Sequence, residues 1–304
     1  MQRVTLTGAT GLIGPRVLRE LRGQGIEVTV LSRDPRRAQA VLDTPAVGWD
    51  LLNEPAPAAA LAGRDAVVHL AGENVAQRWS AQARRAIRDS RVKGTENLLA
   101  GLRALDADAG VPRVLVSASA VGYYGAHREE PLDEEAPPGK GFLPEVCVAW
   151  EERARAAQEL GLRTVQMRIG VVLDRSGGAL AKMLPPFRLG LGGPVAGGRQ
   201  YVSWVHPDDL AGIALAALQD ERWSGPVNAT APAPATNREL SRALGHALHR
   251  PALLPVPGAA LRALYGEMAQ VVTTGARVLP AKPLMLGYRF RHPRLEEALG
   301  AALA

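Results

Sequence analysis

The chain opens with a short apolar run, Val4 to Thr7, that leads into three glycines spaced three residues apart. In such a turn the first glycine allows a sharp bend, the second lets the backbone approach a phosphate, and the third lets a helix pack closely on the strand. The amide groups at the start of the helix then point at the phosphates. The pattern therefore predicts a dinucleotide site. The residues expected to line it are Gly8, Thr10, Gly11, Leu12, Ile13 and Gly14.

A helical apolar face follows the glycines and supports this interpretation. Its members are Leu12, Ile13, Val17, Leu18 and Leu21. The alternative is a strand-to-helix turn that holds no ligand, but strand, glycines and helix all agree with the ligand-binding arrangement. The Gly-x-x-Gly-x-x-Gly spacing resembles the short-chain dehydrogenase/reductase superfamily, and in particular its extended branch.

Composition limits the class of protein. A chain of 304 residues with 47% apolar residues can bury a large core. Cys147, the single cysteine, excludes an internal disulfide framework and a multi-cysteine zinc site, which favours a reducing cytoplasm. The net charge is +6, but the basic residues form no block, so we expect no nucleic-acid partner. Without a leader or a long apolar run, we also expect no export and no membrane span.

Further along, β-rich runs alternate with helical patterns, which predicts a parallel, doubly wound α/β sheet of the Rossmann type. The expected strands are 27–31, 66–71, 113–117 and 164–169, with helices near 81–105 and 146–160. A glycine- and proline-rich stretch follows position 173. We therefore expect a nucleotide-binding domain of residues 1–173 and 204–225. Residues 174–203 and 226–304 are expected to form a small, discontinuous C-terminal lobe that closes over the substrate.

The end of the second strand bears on which dinucleotide binds. A cofactor without a 2′-phosphate would normally meet an acidic residue there, whereas this chain has Ser32 and Arg33. A hydroxyl beside a guanidinium suits an additional phosphate, since the guanidinium donates two charge-assisted hydrogen bonds. The pair favours NADP(H). The alternative is that Arg33 is only a solvated charge at the end of a strand.

Other stretches add expected cofactor contacts by resemblance to the extended branch. Its members place an Asp-apolar pair on the adenine and a small-residue strand end along the ribose and pyrophosphate, and two arginines here lie on elements that should border the site. The contacts implied are Asp50, Leu51, Leu70, Ala71, Gly72, Arg91 and Arg168. A turn role for Asp50 and surface pairing for the two arginines are the alternatives.

The usual catalytic pair of this superfamily is missing. Its chemistry normally needs a tyrosine whose pKa is lowered by a lysine four residues later, together with a serine. The residues four positions after the tyrosines are His127, Arg128, Val205, Ala269 and His292, so no Tyr-x-x-x-Lys exists. Trp150 or Glu151 stands near the lysine's expected place. By alignment with the superfamily's serine segment, Ser119 is the catalytic candidate, whereas packing is the favoured role of Tyr123 and Tyr124.

Taken together, these motifs resemble one family, the epimerase-like atypical short-chain dehydrogenases/reductases that end in a small domain of unknown function. The matching segments are 7–14, 70–74, 119–125, 150–151, 168–173, 189–194, 204–210, 274–280 and 286–290. The resemblance implies a Rossmann fold, NADP(H), and a small-molecule substrate such as a nucleotide sugar or a carbonyl compound.

Two functions remain open. The first is an NADP(H)-dependent oxidoreductase or epimerase-like enzyme in which Ser119 polarises a substrate oxygen and Glu151, Tyr123 or a water supplies the proton. The second is a non-catalytic NADP(H) sensor or regulatory protein. The sequence leaves the oligomeric state open and gives no metal ligands.

Overall fold

The computed structural model describes residues 1–126 and 129–304. The strands in chain order are β1 Arg3–Thr7, β2 Glu27–Ser32, β3 Ala46–Gly48, β4 Ala66–His69, β5 Val114–Ala120, β6 Pro131–Leu132, β7 Arg163–Ile169, β8 Val171–Val172, β9 Tyr201–Val202, β10 Trp204–Val205, β11 Gly225–Ala229, β12 Ala235–Thr236 and β13 Arg277–Val278. The centre of the fold is a seven-stranded sheet in the order β11-β7-β5-β4-β1-β2-β3, in which every neighbouring pair is parallel.

Helices cover both faces of this sheet. In chain order they are α1 Gly14–Gly23, α2 Pro35–Leu42, α3 Ala58–Leu61, α4 Ala81–Arg103, α5 Phe142–Arg155, α6 Gly178–Arg188, α7 Pro207–Gln219, α8 Asn237–Ala247, α9 Gly258–Tyr265, α10 Gln270–Thr273, α11 Ala281–Met285 and α12 Leu295–Leu303. Short 3₁₀ turns follow β5 at Val121–Tyr124 and α5 at Ala156–Leu160. The predicted doubly wound sheet is confirmed.

The strands are buried on both faces, as their near-continuous apolar sequences predict. Val17, Leu18 and Leu21 of α1 pack with α7 on one face, whereas Leu98 and Leu99 of α4 belong to the core on the other. Because all strands run in the same direction, their carboxyl ends meet at a single edge of the sheet. Ligands of open α/β sheets bind at this edge.

Three element boundaries differ from the expectation. Helix α1 begins at Gly14, so Leu12 and Ile13 lie in the turn before it. Strand β4 ends at His69, and the amides of the next two residues donate to the hydroxyl of Thr7. Strand β11 pairs with β7 in the main sheet as far as Ala229, past position 225, where the sequence expected this part of the nucleotide-binding domain to end. The other limits of the C-terminal lobe remain a prediction.

Much of the C-terminal part forms a separate apolar cluster. Trp204 is its largest fully buried member, and helices α6, α8 and α12 supply most of the others. The chain then returns to the main domain, where β13 pairs in parallel with β6. Of the helices within 1–126 and 129–304, none is both long and apolar enough to cross a membrane.

His69, at the end of β4, should make stability depend on pH. The ring is fully buried, and its Nδ1 lies 2.8 Å from the hydroxyl oxygen of Thr7. Burial lowers its pKa from 6.5 to about 4, so between these values the unfolded chain binds the proton and the folded protein does not. His69 should therefore contribute about 2 kcal/mol to the fall in the free energy of unfolding from pH 7.5 to pH 5.

Urea unfolding at the two pH values checks this expectation. His69→Gln should remove the part of the pH dependence of unfolding that His69 contributes. His246→Gln, at an exposed position of α8, should leave the pH dependence unchanged. An equal dependence in both variants would contradict the assignment.

Candidate functional site

The glycine turn after β1 has the geometry of a phosphate cradle. Gly8 has a φ of +69°, and a Cβ built on it would lie 2.7 Å from the carbonyl carbon of Leu70 and 2.8 Å from the amide nitrogen of Ala71. A Cβ on Gly14 would overlap the backbone of Ala9. Thr10 and Gly11, at the tip of the turn, are exposed. The turn therefore needs its glycines for close backbone approach and presents its outer residues to a ligand, which fits a dinucleotide pyrophosphate.

The ends of β1 and β4 are held together by one hydroxyl. Thr7 Oγ1 accepts hydrogen bonds from the amides of Leu70, at 3.1 Å, and Ala71, at 3.2 Å. Gly72 follows, and a Cβ there would lie 3.3 Å from the guanidinium carbon of Arg91. That guanidinium also lies 5.1 Å from the centre of the Trp150 ring. The structure thus brings Leu70, Ala71, Gly72 and Arg91 together at the edge beside the glycine turn.

The residues expected to favour NADP(H) over NAD(H) lie at the end of β2. Ser32 Oγ accepts from the amide of Asp34 at 3.2 Å, and Asp34 caps α2 by accepting from the amide of Arg37. Arg33, Arg36 and Arg37 are all exposed. Arg33 is close enough to Asp50 to help lower the pKa of that carboxyl, and no ion pair of the described residues includes Arg33. This guanidinium is available to an additional phosphate.

Arg33→Ala should therefore weaken binding of NADPH far more than binding of NADH. A charge-assisted hydrogen bond contributes roughly 1.5–3 kcal/mol, which corresponds to about a 10- to 150-fold change. Titration of the purified variant with each dinucleotide measures the difference. Arg19→Ala, at an exposed position of α1, removes the same charge and should leave both affinities unchanged. Equal losses for NADPH and NADH in Arg33→Ala would contradict this assignment.

Asp50 and Leu51 follow β3. The Asp50 carboxylate accepts from the amide of Leu52 at 3.0 Å and from the side-chain amide of Asn53 at 2.7 Å, and these hydrogen bonds lower its pKa. Leu51 packs against Gly94 of α4. The turn interpretation of Asp50 thus has direct support, while contact of either residue with an adenine stays a prediction.

Ser119 meets an acidic residue rather than a tyrosine. It lies near the end of β5, and its hydroxyl donates to Oε1 of Glu151 on α5 at 2.7 Å. Glu151 is only 2% exposed and Ser119 only 3%. The sequence named Glu151 as one of two residues near the place of the missing lysine, and the structure brings it to the serine.

Arg168 compensates the buried charge of Glu151. Its Nε donates to Glu151 Oε1 at 2.9 Å and its Nη2 to Oε2 at 3.0 Å, which is a bidentate pair. Its Nη1 donates to the hydroxyl of Tyr124 and to the carbonyl of Glu134. Four of its five N–H groups are engaged within the protein. The sequence expected Arg168 to contact the cofactor. The structure shows its guanidinium buried and bonded to Glu151, and contact with the cofactor stays untested.

The contacts of Tyr123 and Tyr124 agree with the packing role that the sequence favours for both. Tyr124 is fully buried, and burial raises the pKa of its hydroxyl to about 12. The guanidinium of Arg168 lies 3.5 Å from the ring centre of Tyr123. His127 and Arg128 stand four residues after these two tyrosines and lie outside the described residues.

Sequence reasoning missed two members of the network, Glu134 and Asn228. Glu134 Oε1 accepts from the amide of Asn228 at 2.9 Å, and Asn228 Oδ1 accepts from the Tyr124 hydroxyl at 2.6 Å. Asn228 is opposite Arg168 in the β11–β7 register, just as Ser119 is opposite Arg168 in the β5–β7 register. A polar residue within the apolar run of β11 was the available signal.

Another polar cluster surrounds the start of α7. His206, Asp208 and His292 each offer one atom that could ligate a metal ion, and these atoms lie within 4.8 Å of one another. However, His206 Nδ1 already accepts from the amide of Asp208, and the carboxylate of Asp208 pairs with Arg16 at 2.5 Å. These contacts cap α7 and join it to α1.

Fold and site together define the class: a dinucleotide-binding protein with the extended short-chain dehydrogenase/reductase fold. Residues 4–229 match the model of the NAD-dependent epimerase/dehydratase family, and residues 256–302 match a domain of unknown function, DUF1731. The chain belongs to the NAD-dependent epimerase/dehydratase family, which confirms the resemblance seen in the sequence.

Relatives and a solved structure resemble the whole chain. The chloroplastic SDR39U1 homolog of Arabidopsis thaliana is 41% identical over 99% of this chain and 86% of its own length. The epimerase family protein Mb2239 of Mycobacterium bovis is 42% identical over 98% of this chain and 97% of its own. The crystal structure of human SDR39U1 with NADPH has a TM-score of 0.88 and 36% identity, and covers 99% of both chains.

Proposed function

We propose that this protein is an NADP(H)-dependent oxidoreductase or epimerase-like enzyme for a small polar substrate, such as a nucleotide sugar or a carbonyl compound. The observation that carries the proposal is the 2.7 Å hydrogen bond between Ser119 and Glu151 at the carboxyl edge of the sheet. The family's reaction chemistry requires a proton-transfer group beside the dinucleotide, and these residues supply one where the tyrosine and lysine are absent.

NADP(H) is the favoured cofactor for three reasons. The tip of the glycine turn is exposed to a ligand, the exposed Arg33 suits a 2′-phosphate, and the human relative was solved with NADPH. When bound, this cofactor supplies or accepts a hydride. Gly8, Thr10, Gly11, Leu12, Ile13 and Gly14 would hold the pyrophosphate, with Ser32 and Arg33 at the ribose phosphate. Cytoplasmic location remains a prediction from the single cysteine.

The proton would move through Ser119. Its hydroxyl hydrogen is directed at Glu151, so the lone pairs of Oγ remain to accept a hydrogen bond from a substrate hydroxyl. In oxidation of an alcohol, the substrate proton passes to Ser119 Oγ while the serine's own proton passes to Glu151 Oε1. In reduction of a carbonyl the same two transfers run in reverse. The bidentate contact with Arg168 fixes the carboxylate for both directions.

Ser119→Ala should lower turnover at least 100-fold without loss of cofactor binding. The test incubates the purified protein with NADPH and carbonyl compounds, or with NADP⁺ and alcohols and nucleotide sugars, and follows absorbance of the reduced nicotinamide. We expect kcat/KM to fall at least 100-fold, the lower range for a proton-transfer group, while the Kd for NADPH stays within twofold. Ser117→Ala changes a buried serine two residues earlier on β5 and is the matched control.

The same assay distinguishes the sensor alternative. Tight NADPH binding without turnover across the panel would favour a non-catalytic binder and overturn the enzyme proposal. Undiminished turnover in Ser119→Ala would leave the oxidoreductase class standing but remove Ser119 from the proton path.

A further inference from the structure

The C-terminal segment that matches a domain of unknown function contacts the site through two buried groups. The amide of Lys282 donates to Glu134 Oε2 at 3.1 Å. The side-chain amide of Asn228 donates to the carbonyl of Leu279 at 2.9 Å. Glu134 and Asn228 are also bonded to each other, so the end domain closes a ring of hydrogen bonds on the main domain.

From this ring the contacts continue to the catalytic candidate. Asn228 Oδ1 and the carbonyl of Glu134 hold Tyr124 and Arg168, respectively. Arg168 holds both oxygens of Glu151, which accepts from Ser119. Every side chain in this path is at most 5% exposed. Buried polar networks of this kind are rigid when fully satisfied and lose geometry when one member is left unpaired.

A short strand fixes the end domain at this place. Val278 of β13 is fully buried and packs with Tyr124 and Leu132. Its amide donates to Ser203 Oγ at 2.9 Å, and the next amide, that of Leu279, donates to the carbonyl of Leu132 at 2.8 Å. The end domain therefore reaches the network by both apolar packing and main-chain hydrogen bonds.

We propose that the C-terminal domain is a positioning element of the active site: by fixing Glu134 and Asn228 it fixes Arg168, and through Arg168 it holds Glu151 against Ser119. Its role is to set the geometry of the proton path rather than to bind a ligand of its own. The catalytic meaning of this geometry depends on the proposed function, whereas the contacts that set it do not.

The thiol of Cys147 is a probe of the geometry around Glu151. It is the chain's single cysteine, it is buried, and it lies one helical turn before Glu151 on α5. Its Sγ lies 3.8 Å from the position that a Cβ on Gly122 would occupy, in the turn that carries Tyr124. Burial and the nearby Glu151 raise the pKa of its thiol to about 12. Displacement of the network should expose this thiol and lower its pKa.

The experiment measures Cys147 in two pairs of matched variants of the full chain. Val278→Ala and Glu134→Gln each loosen the contact with the end domain. The two matched controls make the same changes at exposed positions. Val272→Ala lies in the same domain as Val278, and Glu135→Gln lies beside Glu134. Two readouts are taken: the rate of thiol labelling by a soluble aromatic disulfide, and the pH titration of the ¹³Cβ signal of labelled Cys147.

We expect Val278→Ala and Glu134→Gln to label at least tenfold faster than the unmodified protein and to titrate at least one pH unit lower. NADPH affinity should stay within twofold, and both controls should behave like the unmodified protein. Labelling within twofold of the unmodified rate would overturn the proposal, as would a rise no greater than the change in the global unfolding equilibrium measured in urea.

If Glu134→Gln does not fold, Val278→Ala decides the outcome alone, since it removes only two methyl groups. The readouts require no turnover. A failure of the oxidoreductase proposal in the substrate panel therefore leaves this result interpretable, and a failure here leaves the panel result unaffected.

Discussion

Arg168→Met should lower the free energy of unfolding by about 3–5 kcal/mol, because it leaves the carboxylate of Glu151 buried without its partner. The pair is bidentate, and neither side chain is more than 3% exposed. Methionine fills a volume similar to that of the Arg168 side chain but offers no hydrogen-bond donors. Urea unfolding at pH 7 measures the loss, and a parallel titration should show NADPH affinity within twofold wherever the variant is folded.

Two comparisons make this prediction specific. Arg222→Met breaks an exposed ion pair with Asp220 and should have no measurable effect on unfolding. The double variant Arg168→Met, Glu151→Leu should recover most of the lost stability, because it removes the unpaired charge. A selective loss of NADPH affinity in Arg168→Met would instead restore the cofactor role that the sequence suggested for this residue.

The sequence predicts the architecture well because local signals determine it. The glycine turn after β1 and the apolar strands are each recognisable from a few neighbouring residues, and the alternation of strands with helices predicts a parallel, doubly wound sheet. The errors fall at boundaries. Leu12 and Ile13 continue the apolar periodicity of α1, but the helix starts only at Gly14, after a bend over residues 11–13.

The site could be predicted only in part, because its key contacts join residues far apart in sequence. Ser119 and Glu151 are named by resemblance and by position, but their hydrogen bond depends on how α5 lies over β5. The pairing of Arg168 with Glu151 depends in addition on the register of β7. No pattern within either segment reports such a distance.

Helix α5 lies where the superfamily's tyrosine and lysine are expected, with Trp150 or Glu151 near the lysine's place. Cys147 and Glu151 lie four positions apart on α5, and it is Glu151 that reaches the serine. A lysine at this place would carry a positive charge, whereas here the positive charge comes from Arg168 on the neighbouring strand. Under the proposed function, the positive charge beside the serine therefore comes from the sheet rather than from α5.

Gly8→Ala should destabilise the protein by about 2–5 kcal/mol and weaken NADPH binding at least tenfold. The left-handed backbone of Gly8 costs an alanine about 1–2 kcal/mol, and the overlap of its Cβ with the backbone of Leu70 and Ala71 adds about 1–3 kcal/mol. Relief of this overlap requires the turn to move away from β4. Such a movement displaces the amides expected to face the pyrophosphate.

Gly25→Ala separates the two causes. Gly25 has a φ of +72°, close to that of Gly8, but a Cβ there would have no neighbour within 4 Å. This variant should therefore show the backbone strain alone, about 1–2 kcal/mol by urea unfolding, with unchanged NADPH affinity. If Gly8→Ala behaves in the same way as Gly25→Ala in both measurements, the contact between the glycine turn and β4 has no part in forming the dinucleotide site.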